Sequence, residues 1–237
     1  MKKILILGSQ HGNELLGEAL YGHIKLSRPE LLPYVRYLAG NIRAKKQNVR
    51  YIESDLNRSY NGRNTTYEER RASRIRAYIK KHSFDLVLDM HTTTCEQPPC
   101  LIVAATSGAI TPFLRACSIE KIVHMNHEIV ATSLIGICPQ AVSIEVNKGS
   151  LSEALLSELC DDLQRYLNKN EDYAAKTVYE ISDLLKKTEL SEQEARRLRN
   201  FHKSPYGFYP VLVGENSYKK QTTYLGFKAY TEVRSRV

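Results

Sequence analysis

The sequence predicts an α/β fold, a sheet flanked by helices, with a small β-rich unit at its C-terminal end. Short runs of Val, Ile and Leu recur without polar alternation, as in strands buried on both faces. Helical stripes lie between or beside them, the alternation expected of strands and crossover helices. Past about residue 170 this pattern gives way to the polar, mixed "KTVYEISDLLKKTELSEQEARRLRNF" and then to a stretch rich in Tyr, Val and Thr, which favours β-structure.

"KILIL" (3–7) opens the sheet with five residues and no polar break. After Asn13, the residues Leu16, Ala19, Leu20 and Ile24 keep helical spacing. "VRYLAG" (35–40) is the second strand. In "TTYEERRASRIRAYIKK", Thr66 and Glu69 form a capping-box pair, and Ala72, Ile75 and Ile79 share one stripe. "FDLVLDM" (84–90), "CLIVAA" (100–105), "KIVHM" (121–125) and "AVSIEV" (141–146) add four further strands. "SLSEALLSELCDDLQRYL" is a third amphipathic helix, capped by Ser150 or Ser152. The character change places residues 1–168 in the main domain and 169–237 in the small C-terminal one. There "YGFYPVLVGENSYKKQTTYLGFKAYTEV" predicts β-hairpins.

A chain of 237 residues buries a substantial core, as one domain or as a main domain with an appendage. No stretch nears the roughly 18 apolar residues that cross a bilayer. The apolar run in "MKKILILG" is shorter than the roughly 7–15 residues of a signal-peptide core. A cytoplasmic location without a membrane partner is therefore expected. Cys95, Cys100, Cys117, Cys138 and Cys160 are scattered and odd in number, which suits reduced thiols better than a disulfide framework. Cys95 and Cys100 lack the second pair that would complete a zinc ribbon. The net charge of +8 is concentrated in residues 43–81, where twelve basic residues face four acidic ones. Such a block could attract nucleic acid, guide an anionic substrate, or form a solvated helix face. The last reading suits most of these side chains.

Ligands of open α/β sheets bind at the carboxyl ends of strands. His11 and Glu14, in "GSQHGNELLG", follow the first strand, and His91, in "DMHTTT", follows 84–90. Two imidazoles and a carboxylate are the ligand set that leaves zinc a fourth position for water. A turn brings residues i and i+3 to one side, and Gly12 lets the backbone bend between them. The same residues also read as ordinary hydrogen-bonded structural groups. His124 and His127, in "HMNHE", do not form a His-Glu-x-x-His helix and read as loop or strand edge. "RYIESDLNRSY" groups Arg50, Asp55, Asn57 and Arg58, a pattern suited to a carboxylate or an oxyanion, or to a surface ion-pair network. Glu145 stands inside the apolar "AVSIEV". It is either a buried carboxylate of raised pKa, suited to general-base work, or a strand-end residue facing solvent.

"GSQHGNELLG", "RYIESDLNR", "DMHTTT" and "SIEV", in that order, resemble the aspartoacylase and succinylglutamate desuccinylase family, zinc-dependent amidohydrolases related to zinc carboxypeptidases. "HGNEL-x-G" and "DLNR" are closer to the aspartoacylase branch. The resemblance implies a zinc carboxypeptidase-like mixed sheet. It also implies one Zn2+ per chain, held by His11, Glu14 and His91. By the same resemblance Glu145 is the general base and acid, and Arg50 stabilises the oxyanion. Asn57 and Arg58 hold the substrate α-carboxylate, and Tyr218, in "GENSY", is a substrate contact from the C-terminal unit. Asp89, two residues before His91, is placed to orient a ligand.

Four departures bear on the substrate. The family's "GNP-x-A" is "GNIRA" here, and Thr92 follows His91 where aspartoacylases commonly carry Asn. "SLIGICPQ" (133–140) lacks the arginine that aspartoacylases place about ten residues before the catalytic glutamate, and the C-terminal unit is shorter. The expected reaction is hydrolysis of an N-acyl amino acid, N-acetyl-L-aspartate first. Succinylglutamate or another N-acyl amino acid is the alternative, and a peptide-cleaving zinc carboxypeptidase a further one. A non-enzymatic nucleic-acid-binding protein is the reading that the complete catalytic set argues against. A homo-oligomer is left open.

Overall fold

Ile4, Leu5, Ile6 and Leu7 are fully buried, because the first strand lies inside the sheet with helices on both of its faces. Burying each such side chain contributes roughly 1.5–3 kcal/mol. The computed structural model describes residues 2–104, 108–170 and 175–235. Among these the strands are β1 (Ile4–Gly8), β2 (Val35–Ala39), β3 (Leu86–Thr93), β4 (Cys100–Val103), β5 (Lys121–His124), β6 (Ala141–Asn147), β7 (Lys176–Lys186), β8 (Tyr209–Val211) and β9 (Tyr224–Ser235). They form one sheet in the order β2-β1-β3-β6-β4-β5-β7-β9-β8. β1, β2, β3 and β6 are mutually parallel, β4 runs antiparallel to β6, and β5 and β7 continue parallel to β4.

The helices are α1 (Leu16–Ser27), α2 (Ile42–Gln47), α3 (Tyr67–His82), α4 (Thr111–Ala116), α5 (His127–Val130), α6 (Leu134–Ile137), α7 (Glu153–Leu167), α8 (Glu192–Ala195) and α9 (Asn216–Gln221). α1, α4 and α7 cover one face, where Leu20, Ile24, Phe113 and Leu159 pack with Ile4, Ile6 and Leu88. α3 covers the other, where Ala72, Ile75 and Ile79 join Leu5, Leu7 and Val87. Thr66 and Glu69 make the capping box, and Ser152 caps α7 through the Leu155 amide.

The segment after α7 departs from its sequence pattern. "KTVYEISDLLK" reads as polar and mixed, yet it is β7, an eleven-residue strand. Register shifts beside Ile181 and Leu185 break its alternation, so Val178, Tyr179, Ile181 and Leu185 are buried without a clean period of two. β9 pairs antiparallel with both β7 and β8, and α9 interrupts the hairpin expected between β8 and β9. These strands extend the same sheet, and the 168/169 division falls between α7 and β7. The strand expected over 100–105 is described to Val103, and residue 105 lies outside the described residues.

The turn after β1 needs a glycine for close approach. A Cβ on Gly12 would lie 2.1 Å from the Ala44 carbonyl carbon and 2.2 Å from the Lys45 nitrogen. The left-handed residue of this turn is Ser9 (φ 53°), so Gly12 supplies space rather than the bend expected of it. Gly12→Ala is expected to push α2 away and destabilise the protein by about 1–3 kcal/mol. Chemical denaturation alongside zinc titration checks this.

Candidate metal centre and its pocket

The chain reverses after β1 in a turn closed by the Glu14 amide, which donates to the His11 carbonyl (3.1 Å). His11 and Glu14 thereby face the same way, and the parallel β1–β3 pairing sets His91 beside them. Nδ1 of His11 lies 2.7 Å from Glu14 Oε1, and Nδ1 of His91 lies 3.0 Å from Glu14 Oε2. One donor atom from each residue fits within 4.8 Å of the others. All three side chains are buried.

The far edges of both imidazoles meet carboxylates. His11 Nε2 is 3.1 Å from Asp55 Oδ1. His91 Nε2 is 3.0 Å from Asp89 Oδ2, without hydrogen-bond geometry and without another partner. Carboxylates behind the rings leave both Nδ1 atoms turned toward the common centre, an arrangement that orients imidazole ligands for a metal. The electrostatics agree. Burial disfavours charge on both rings, yet Glu14 and Asp55 around His11, and Asp89 and Glu14 around His91, outweigh it and raise both pKa values. Glu14 is held far below the usual carboxylate range by the two imidazoles despite its burial. A dication would meet strong negative potential here.

Asp89 is completely buried inside an apolar strand and is therefore dependent on partners. Gln10 Nε2 donates to it at 2.7 Å and Ser143 Oγ at 3.0 Å, while the Tyr60 hydroxyl donates to Gln10 Oε1 at 2.8 Å. Asp89 faces Ser143, and His91 faces Glu145, in the β3–β6 register. Glu145 is therefore buried beside the His/Glu/His group. Loss of hydration pushes its pKa to about 8; Glu14 and Glu215 reinforce the shift and the imidazoles oppose it.

Arg50 donates to Asp55 Oδ2 through Nε (3.3 Å) and Nη2 (3.0 Å), and its Nη1 stands 3.9 Å from Glu14 Oε1. Asn57 Oδ1 accepts from Gln10 Nε2 (3.4 Å) and the Leu134 amide (3.3 Å). Arg58 is exposed and donates to the Asn57 carbonyl at 2.9 Å. Tyr218 stacks edge-on against Tyr224, ring centroids 4.9 Å apart. One cavity is lined by all eight residues expected from the sequence: His11, Glu14, Arg50, Asn57, Arg58, His91, Glu145 and Tyr218.

His124 and His127 stand apart from this centre. His124 ends β5 beside Glu180 (2.7 Å), and His127 opens the one-turn α5. The five cysteines are free and buried. Much of the basic block is structural: Arg71 donates to the Ala39 and Gly40 carbonyls, and Arg76 to that of Tyr60.

Sequence reasoning missed Glu68. It sits in the first turn of α3, where an acidic residue ordinarily faces solvent, yet it is fully buried. Its carboxylate accepts from the amides of Ile52 (2.8 Å), Glu53 (3.2 Å) and Ser54 (3.1 Å), and from Asn41 Nδ2 (3.0 Å). It therefore fixes the loop that presents Arg50 and Asp55. An unsatisfied buried donor costs roughly 1–3 kcal/mol, so Glu68→Ala is expected to lose about 3 kcal/mol or more. Urea denaturation measures the loss, with Glu68→Gln retaining part of it. Glu215 was also missed. It pins the C-terminal segment over the cavity by accepting from Thr93 Oγ1 (2.6 Å) and from the Thr94 amide (2.7 Å) and hydroxyl (3.0 Å).

The succinylglutamate desuccinylase/aspartoacylase catalytic domain matches residues 1–174. The chain belongs to that family. Aspartoacylase of Xenopus tropicalis is 27% identical over 203 residues, covering 73% of this chain and 62% of the relative. This family member thus spans less than two thirds of that relative. Its fold is similar to the crystal structure of murine aminoacylase 3 (TM-score 0.71, 20% identity, 99% of this chain and 96% of that one). It is also similar to a metallo-carboxypeptidase from Burkholderia cenocepacia (TM-score 0.56, 12% identity, 71% and 57%). The carboxypeptidase-like mixed sheet expected from the resemblance is the fold observed. No helix among the described residues is long and apolar enough to cross a membrane.

Proposed function

We propose that this chain is a zinc-dependent deacylase that hydrolyses the amide bond of an N-acyl amino acid. The observation that carries the reading is the convergence of His11, Glu14 and His91 beside the buried Glu145. Two imidazole nitrogens and a carboxylate oxygen suit zinc and leave room for a reacting group. Bound there, zinc supplies Lewis-acid polarisation and an activated water.

The chain's own residues have separable tasks. Glu145, buried opposite His91, accepts a proton from the attacking water and returns it to the leaving amine. Arg50, held by Asp55, presents its guanidinium beside the metal ligands, where the scissile carbonyl gains negative charge. Arg58 and the Asn57 amide meet the α-carboxylate, and Tyr218 contacts the substrate. The unit from residue 169 onward covers the site, contributing Glu215, Tyr218 and Phe227 to its lining.

N-acetyl-L-aspartate, the substrate the sequence puts first, carries a second carboxylate. Arg50 and Arg58 are the two arginines among the described residues of the lining, and both have tasks in this scheme. The test is release of free amino acid by the zinc-loaded protein from N-acetyl-L-aspartate, N-succinyl-L-glutamate and neutral N-acetyl amino acids. A chelator should abolish release and zinc restore it. Cleavage of dipeptides with no release from any N-acyl amino acid would overturn the assignment.

A further inference from the structure

The pocket changes character across the sheet. On one face β3 and β6 present Asp89, His91, Ser143 and Glu145. At β4, where the strand direction reverses, Ile102 stands in register with Ser143. Val123 of β5 follows Ile102 in that row. The apolar part of the lining is Ile102, Met125, Val130, Ile135, Leu212 and Phe227. Each is between 1% and 8% exposed.

Arg50 and Arg58, the two arginines of the described lining, both come from the segment between α2 and α3. Glu14, Glu145 and Glu215 line the same cavity, and Glu215 is fixed by the donors of Thr93 and Thr94. A second substrate carboxylate turned toward Ile102, Met125 and Phe227 would lose its hydration without gaining a cation from the described residues of the lining.

We propose that the part of the pocket walled by Ile102, Met125, Val130, Ile135, Leu212 and Phe227 receives an uncharged apolar group of the substrate. The chain then prefers N-acyl amino acids bearing an apolar substituent over those bearing a second carboxylate. This rests on the deacylase reading and narrows it. The group comes from the amino-acid side chain or from the acyl chain, and the two sources are separable.

The zinc-loaded protein is assayed for kcat/KM on two series. The first holds the acyl group as acetyl and varies the amino acid through Gly, Val, Leu, Met and Asp. The second holds glycine and varies the acyl group through acetyl, propionyl, butyryl and succinyl. Zinc-loaded Glu145→Gln is titrated calorimetrically with the same compounds. In one series the apolar members should exceed the smallest by at least about tenfold, the scale on which apolar pockets discriminate methylene groups. The charged member should fall below them, and Ile102→Ala should narrow the apolar advantage. The series that responds identifies the source of the group. A flat response in both series, or N-acetyl-L-aspartate or the succinyl compound as best substrate, overturns the proposal while leaving deacylation standing. Release from none of the compounds overturns deacylation instead, and the calorimetric order then decides the pocket assignment. Tightest binding by a charged member, or no binding by any, counts against it.

Discussion

Glu145→Gln is expected to retain one equivalent of zinc and to lose about 10²–10⁴ in kcat for amide hydrolysis, the range contributed by a positioned acid-base group. Glutamine keeps the shape of the side chain in β6 and its place opposite His91 in the register. It cannot take a proton from water or return one to an amine. The native carboxyl can make both transfers, and burial carries its pKa to about 8, above the usual carboxylate range. The readout is paired: zinc content by atomic absorption and turnover on the best substrate. Near wild-type turnover removes Glu145 from the role. Loss of zinc together with turnover shows instead that the carboxylate supports the metal site. KM should change less than kcat, since the lost interaction is made in proton transfer rather than in binding.

The sheet was legible because its strands are buried on both faces, so runs such as "KILIL" and "AVSIEV" carry no polar interruption except where chemistry requires one. Asp89, His91 and Glu145 are such interruptions, and they lie on one face at the ends of neighbouring strands. The His-x-x-Glu turn was legible from spacing. The supporting groups were not. Asp55, bridging His11 and Arg50, sits 44 residues from His11 in sequence, and Glu68 looks like any first-turn acid until the fold brings residues 52–54 onto it. Their tasks are tertiary, with no local period to mark them. β7 escaped for a different reason: its register shifts destroy the alternation by which a strand is recognised.

His91→Ala is expected to abolish stable zinc binding and, with it, turnover. His91 supplies one of three converging donors from the interior of β3, where no other described histidine or cysteine can replace it. Residues that merely orient metal ligands cost about 10–100-fold in affinity when removed, so loss of a ligand should exceed that range. Asp89→Asn provides the graded comparison: it keeps the side chain's shape but weakens the carboxylate behind His91 Nε2, and should fall within it. Chelator competition gives both affinities. Thermal unfolding with and without zinc gives a second readout, since a ligand that binds the native state raises its stability in proportion to RT ln(1 + [L]/Kd). The wild-type shift should vanish in His91→Ala and shrink in Asp89→Asn. Stoichiometric zinc of unchanged affinity in His91→Ala would place the metal elsewhere and leave the convergence of His11, Glu14 and His91 as a hydrogen-bonded network of the core.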